Sequence, residues 1–394
     1  MREGWIKTPI GDVAQVLSGY AFKSELFNES EGMPLIRIRD LPKRNQTEAR
    51  YSGSYEDRYV VRQGDFLIGM DGEFHCYEWF GEDALLNQRV CRIQDFKINL
   101  VEPRFIYFAV NQYLDKIEQD TGYTTVKHIS SKQILAINIP LPPLPEQKRI
   151  VDLISSVDSY IEALQQQLES VRSASNAQLE KIVSEFNDHW VEVTLGEVLE
   201  ISRGGSPRPI QNYLTDFEEG INWVKIADAT RSEKYIYSTL QKIKREGISR
   251  SREVFSGDFI LSNSMSFGRP YIMRTDGCIH DGWLLLSNVS KYFDEDFLYN
   301  LLNSDYVQRQ FESLAAGSGV RNLNIEVVKK VKVKIPTIEV QKELASVINE
   351  FDNFIINLTK QIHSGFNLRN ALLSDLLSGE YEIPASYDKV IGAA

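Results

Sequence analysis

Cysteine is scarce. Cys76, Cys91 and Cys278 are three, odd in number and without a Cys-x-x-Cys pair. That pattern excludes a disulfide framework and reads as reduced thiols in a cytoplasmic protein. His75 beside Cys76 is half of a metal-binding pair, and no second half follows, so no metal site is expected. Long apolar runs are missing as well. No eighteen consecutive apolar residues occur, so a membrane-spanning helix is not expected. The opening "MREGWIKTPIGDV" has no apolar stretch after its basic residue, so a signal peptide is not expected either.

Positive charge is short too. Forty-four Lys and Arg stand against 55 Asp and Glu, a net charge of −11. A general binder of nucleic acid is usually basic overall. Loops that carry chemistry are also absent. "SRGGSPRP" (202–209) is glycine-rich but is neither G-x-G-x-x-G nor a Walker loop, so no nucleotide site is expected. No Asn-Pro or Asp-Pro pair occurs, which removes the usual flipped-base loop of an adenine methyltransferase. "GMDGEF" (69–74) offers Asp71 and Glu73 without a following lysine and reads as a solvated turn, not a nuclease centre. His280 and Asp281 have no matched nucleophile and read as a loop or half-buried pair. No catalytic residue and no cofactor are therefore expected on this chain.

The charge that is present is uneven. Residues 145–186 hold seven acids against four bases, whereas 221–252 hold eight bases against three acids. A local basic stretch on an acidic chain fits a docking surface better than a polyanion trap.

The chain repeats itself. Gln147-Lys148 aligns with Gln341-Lys342 at an offset of 194. Ile150, Ile154, Val157, Ile161, Leu164 and Leu168 then fall on Leu344, Ile348, Phe351, Ile355, Leu358 and Ile362, all apolar and spaced by threes and fours. Upstream, Lys127 meets Arg321, "VRQGDFLIGM" meets "VFSGDFILSN", and Trp5 meets Trp190. The offset drifts from 185 to 194, as loop insertions produce. Each half reads as α/β: "LIRIRD" and "WVKIAD" alternate as strands, as do "LAINIPLP" and "VKVKIP", while 105–117 and 297–311 carry helical spacing.

A proline-rich exit then opens a long helix in each half. The first is expected to reach about Phe186, softened around "SASN" (173–176); the second is weakened at Gly365 and ended by Gly379. An apolar seam on such a rod needs a partner, and the other copy is the obvious one. Pseudo-two-fold packing makes the pair antiparallel. The expected order is a first module (1–142), a helix (143–186), a second module (187–336), a helix (337–379) and a tail (380–394).

Two similar but non-identical modules suit a polymer with a repeating geometry, and double-stranded DNA is one. The halves diverge between Asp40 and Gly64 and between Asp228 and Gly257, in polar, basic, tyrosine-bearing stretches. Candidate DNA contacts are Lys43, Arg44, Asn45, Gln46 and Lys127 in the first half. In the second they are Arg203, Arg208, Lys225, Arg231, Lys234, Asn263, Arg269 and Arg321. The rival reading is a non-catalytic scaffold with two ligand-binding modules on a helical strut; a self-contained methylating or cleaving enzyme is disfavoured by the missing motifs.

The order of module, "PLPPLPEQKRIVDLI", helix, module, "KIPTIEVQKELAS", helix and "LLSDLLSGEY" resembles the specificity subunit of type I restriction-modification enzymes. The likeness covers essentially the whole chain, and "SRGGSPRP" resembles the opening of that family's target-recognition domains. "PTIEVQKE" departs from the usual exit motif but keeps the helix phase. The resemblance implies two target-recognition domains reading the halves of an asymmetric bipartite site, and a spacer of two helices. It also implies docking of two modification subunits, which carry S-adenosylmethionine and methylate adenine. Restriction subunits would complete the nuclease and translocase.

Overall fold

The structure is a computed structural model describing residues 2–120, 127–184, 190–232, 234–263, 267–316 and 322–391. Two compact units divide it: residues up to 163 with those from 362 onward, and residues 164–361. Five longer helices organise the units: α1 (Pro103–Asp120), α2 (Leu144–Ser184), α3 (Glu295–Asn303), α4 (Asp305–Ala316) and α5 (Ile338–Ser378).

In the first unit an antiparallel sheet runs in the order Gln15–Ser18, Val90–Gln94, Phe66–Gly69, Cys76–Glu78. A second sheet runs Phe27–Asn28, Arg50–Tyr51, Met33–Ile36, Ala84–Leu86, Val60–Val61, with its third and fourth strands parallel. Ile6–Pro9 pairs antiparallel with Asn138–Leu141 at the exit. The inward faces of the first sheet, Phe66, Ile68, Cys76, Cys91 and Ile93, share one core with Phe105, Ile106, Ala109, Val110 and Leu114 of α1. Those α1 residues recur at three- and four-residue steps, which places them on one helical stripe.

The second unit repeats this topology with one strand more. Its first sheet runs Glu200–Arg203, Trp283–Ser287, Phe259–Ser262, Pro270–Met273, and adds Tyr235–Ile236 at the edge. Its second runs Leu214–Thr215, Gln241–Ile243, Ile221–Val224, Gly277–Ile279, Arg252–Val254, again with the third and fourth strands parallel. Val191–Thr194 pairs with Lys332–Ile335. The single helix expected over 297–311 is instead two, α3 and α4, parted at Ser304. The buried Ser304 hydroxyl donates to the Leu301 carbonyl and accepts from the Val307 amide, so it ends one helix and caps the next.

Each long helix gives half its length to each unit. In the first unit Ile150 and Ile154 are buried with Leu376 and Leu377 of α5, Asp158 pairs with Arg369, and Gly365 lies against Ile161. Numbers rising on α2 meet numbers falling on α5, so the two segments are antiparallel. In the second unit Ile182 and Val183 of α2 share a core with Ala345 and Ile348 of α5. The seam residues Ile150, Ile154, Ile161, Leu164, Ile348 and Leu358 are buried; Val157, Leu168, Leu344, Phe351, Ile355 and Ile362 are half-buried. Two expectations are corrected. Helix α2 is unbroken through 173–176, where Ser175 is buried; the small propensity losses of Ser and Asn do not open the ladder. Gly365 does not weaken α5 but permits close approach, since a Cβ there would lie 2.9 Å from Ile161 Cγ1.

The helix starts are fixed by matched glutamines. Gln147, fully buried, donates to the carbonyls of Leu100 (3.1 Å) and Pro142 (2.8 Å) and accepts from the Glu102 amide (2.8 Å). Gln341, also fully buried, donates to Tyr292 and Pro336 (both 3.0 Å) and accepts from the Asp294 amide (2.8 Å). In the first unit the tail is tied down too. Arg149 pairs with Asp388, and the Tyr387 hydroxyl donates to Asp152 (2.8 Å). Burial, with the Asp152 carboxylate beside it, pushes that phenol up to about 12.

Gln147→Ala leaves three backbone groups without their partner, the Pro142 carbonyl among them buried, and is expected to cost about 2–4 kcal/mol, because an orphaned buried group costs roughly 1–3 kcal/mol before relaxation. Gln341→Ala is expected to do the same in the other unit. Hydrogen exchange should show faster opening at 138–155 in the first variant and at 332–349 in the second; equal exchange in both variants and the parent contradicts the clamp.

Candidate nucleic-acid interface

In each unit three segments, distant in sequence, are laced together by backbone bonds. In the first unit they are 70–74, 87–89 and 127–129. The Met70 amide donates to the Arg89 carbonyl (2.9 Å), the Ile129 amide to Met70 (2.9 Å), and the Gly72 amide to Lys127 (3.1 Å). Gly72 has φ +80°, a conformation that suits glycine, and a Cβ there would stand in open space. In the second unit the Asn263 amide donates to Gly282 (3.0 Å) and the Leu323 amide to Asn263 (2.9 Å). Met70 and Asn263, Arg89 and Gly282, and Ile129 and Leu323 are thus structural equivalents. Gly19 and Gly204 let the chain pass the same junction: a Cβ would fall 2.1 Å from the Asn87 carbonyl oxygen and 2.0 Å from that of His280.

The side chains at these junctions differ. In the first, Asp71 accepts from Arg89 Nη1 (2.6 Å) and meets His128 Nδ1 (2.6 Å). Asp71 is therefore an ion-pair hub, not the solvated turn carboxylate its sequence implied. Lys127 pairs with Glu118 (2.9 Å) and, with the Phe74 amide, holds that carboxyl below its usual range. In the second, Asp281 is the hub. The Ser206 hydroxyl and Arg208 engage its carboxylate, while Arg203 Nε (3.1 Å) and Asn263 Nδ2 (2.9 Å) donate to its carbonyl. The Ser206 hydrogen bond is the main cause that keeps the Asp281 carboxyl below its usual range. His280 sits between Trp223 and Trp283, and burial pushes it down, towards the neutral form. Its Nδ1 accepts from the Gly282 amide (2.9 Å).

Lys127, Arg203, Arg208 and Asn263 are thus brought to the junctions. The other candidates lie elsewhere. Lys43 pairs with exposed Glu48 (3.0 Å). Arg44 is half-buried, 4.7 Å over Phe80 and bonded to Tyr107 Oη. Asn45 and Gln46 are exposed, with the Asn45 carbonyl against Gly81. Lys225 and Arg231 flank the short helix Ile226–Thr230 and are exposed. Arg269 is exposed, 5.2 Å from the Tyr271 ring centre. Arg321 lies outside the described residues.

Lys234 has an internal task. It pairs with Asp296 (2.6 Å), lies 4.7 Å from the Tyr299 ring centre, and shares Asp296 with Asn349 of α5 (2.7 Å). Burial pushes the Asp296 carboxyl up, but the hydrogen bonds from Lys234 and Asn349 and the lysine charge outweigh it, so it ends low. Arg89 and His128 were missed from sequence, and Asp71 was noted but read as a solvated turn; the repeat alignments of Met70 with Asn263 and of Lys127 with Arg321 pointed to two of these loops.

Burial keeps the three thiols protonated: Cys76 is pushed well up, Cys91 to about 12 and Cys278 to about 11. Among the described residues no group of three or more His, Cys, Asp or Glu could hold a metal ion. No helix among them is long and apolar enough to cross a membrane.

The family described as "Type I restriction modification DNA specificity domain" matches residues 2–172 and again 187–365. The chain belongs to that family. Two matches on one chain are the two repeats seen in the fold. As a specificity subunit it has relatives over nearly its whole length. The EcoBI specificity subunit of Escherichia coli is 29% identical, with 96% of this chain and 87% of that protein covered. The MjaVIII specificity subunit of Methanocaldococcus jannaschii is 22% identical, covering 97% and 94%. Among solved structures, the type I S subunit of M. genitalium aligns at a TM-score of 0.53 and 16% identity, covering 94% of this chain and 96% of that one. A chain from work on complex assembly and conformational transition of a type I system aligns at 0.63 and 16% identity, covering 96% and 98%. At that identity the structural likeness speaks for the fold.

Lys234→Met is expected to destabilise the second unit by about 1–3 kcal/mol at neutral pH, the scale of a hydrogen bond to a charged group. The Asp296 carboxyl lies below its unfolded value, so its contribution is present above about pH 4 and is lost as pH falls through the folded value. Urea unfolding of the parent at pH 6 and pH 3 should therefore differ by more than the same pair of measurements on the variant.

Proposed function

We propose that this specificity subunit reads an asymmetric, bipartite site on double-stranded DNA, one half-site per repeat, and does no chemistry itself. The supporting observation is that one backbone junction occurs twice with different side chains. Met70 stands where Asn263 does, Arg89 where Gly282 does, and the organising carboxylate is Asp71 in one and Asp281 in the other. Equal scaffolds carry unequal donors and acceptors, which suits two different sequences and not a palindrome.

The partners follow the same repeat. Two copies of a modification subunit dock on the long helices, and those copies, not this chain, take the methyl donor S-adenosylmethionine. Restriction subunits complete the assembly. Tyr160 of α2 and Phe354 of α5 support this reading. They are equivalent at the 194-residue offset, one in each unit, and each is 56% exposed. Large exposed aromatics matched by the repeat fit two equivalent grips on two identical partners, since aromatic side chains dominate interface anchors. The helices then act as a spacer between half-sites.

Selection from random duplexes by the chain co-expressed with modification subunits should enrich two short unlike sequences at a fixed gap. Tyr160→Asp and Phe354→Asp should each reduce the modification subunits bound per chain from two to one, read by native mass spectrometry. Enrichment of one contiguous motif counts against the bipartite reading, and full loading in both variants counts against these grips.

A further inference from the structure

The geometry points to Arg89 as a base-reading residue of the first module, with Asp71 as the carboxylate that positions it against a guanine. The inference rests on the proposed DNA reading and names one of its specificity determinants.

Arg89 is held at both ends. Its carbonyl accepts from the Met70 amide (2.9 Å), which fixes the root of the side chain, and its Nη1 donates to Asp71 (2.6 Å), which fixes the tip. Asp71 is held as firmly. It forms an antiparallel bridge with His128, and its second oxygen meets His128 Nδ1 at 2.6 Å. The carboxylate is 19% exposed while the Arg89 side chain is 60% exposed. An exposed arginine normally samples many rotamers, and this one is steered into one by a largely covered partner. The neighbouring Gly72 presents no side chain that would keep a groove floor away.

Charge decides between the two things an exposed arginine can do on DNA. A phosphate contact favours net positive charge, because the ligand is an anion. Here Asp71 offsets Arg89, and the nearby Lys127 is paired with Glu118. A carboxylate 2.6 Å from the guanidinium repels a fully charged phosphate more strongly than the uncharged edge of a base. Guanine presents two acceptors, O6 and N7, in the major groove, and the planar guanidinium matches them with two parallel donors. With Nη1 engaged by Asp71, the guanidinium keeps further N–H groups for that edge. The second module supplies an independent instance. Arg208, 80% exposed, is drawn to Asp281, whose other oxygen takes the Ser206 hydroxyl. The carboxylate comes from a different loop there, so the donor is set at a different place.

The test is selection from random duplexes with the full chain co-expressed with modification subunits, comparing the parent with Arg89→Ala, Asp71→Asn and Asp71→Glu. The expected result is loss of a guanine preference at one position of one half-site in Arg89→Ala, about tenfold or more, with the gap and the other half-site unchanged. Asp71→Asn should keep the same preferred base with weaker discrimination, and Asp71→Glu should restore part of it. The intact second half-site shows that the variants are folded. An unchanged motif in Arg89→Ala overturns the inference. So does weakening that is equal for all sequences with a salt slope shallower by about one, which marks a phosphate contact. If the parent itself enriches no bipartite sequence, the DNA reading fails first, and the two failures are told apart.

Discussion

The fold depends on one buried side chain used twice. Gln147 and Gln341 each tie three backbone groups that no helix or sheet would satisfy: the carbonyl of the exit strand, and a carbonyl and an amide just before α1 or α3. A buried backbone group without a partner costs as much as a lost hydrogen bond, so the helix, the strand exit and the preceding loop must arrive together. Proline at 142 and 336 removes one donor from that exit, and the glutamine amide takes the carbonyl that remains. The direction of each long helix is thereby coupled to its own module.

The repeat, and with it the fold class and the long helices, was legible because it is written in local order. Apolar residues at steps of three and four, a Gly-Asp turn before each buried strand and a glutamine after each proline exit are short-range signals. Two local readings failed, one for a tertiary reason and one for a local one. "SASN" looked like a soft point, yet Ser175 is buried and the helix holds. Residues 297–311 had one helical period, yet Ser304 breaks it with its own hydroxyl. Propensity differences of a few tenths of a kcal/mol yield to packing in the first place and to a side-chain cap in the second.

The interface was harder to read because its bonds are long-range. Asp71 and His128 are 57 residues apart, Lys234 and Asp296 are 62, and Ser206 and Asp281 are 75. From sequence, Lys234 and Arg89 are both simply cations. Only the fold shows that one is tied to α3 and α5 and the other stands at a loop junction. Lys127 drew attention because the repeat paired it with Arg321, and it does lie at the junction, bonded to Glu118. His128 carries no local signal, and Asp71 drew notice only as a turn carboxylate; nothing local joins the two.

Several cations of the modules are paired with carboxylates and do not form a free positive surface. Arg89 with Asp71, Lys127 with Glu118, Lys234 with Asp296 and Arg208 with Asp281 are cations paired with carboxylates within the modules. Affinity for DNA that comes from phosphates alone is independent of sequence and grows with every free cation. A subunit whose task is specificity gains by withholding that term, since non-specific sites compete in proportion to it. Pairing arginine with aspartate lowers the attraction for backbone while leaving directional donors for a base edge. If Arg89 reads a base as proposed, the bond to Asp71 that offsets its charge also limits its rotamers, so discrimination would rise as general affinity falls.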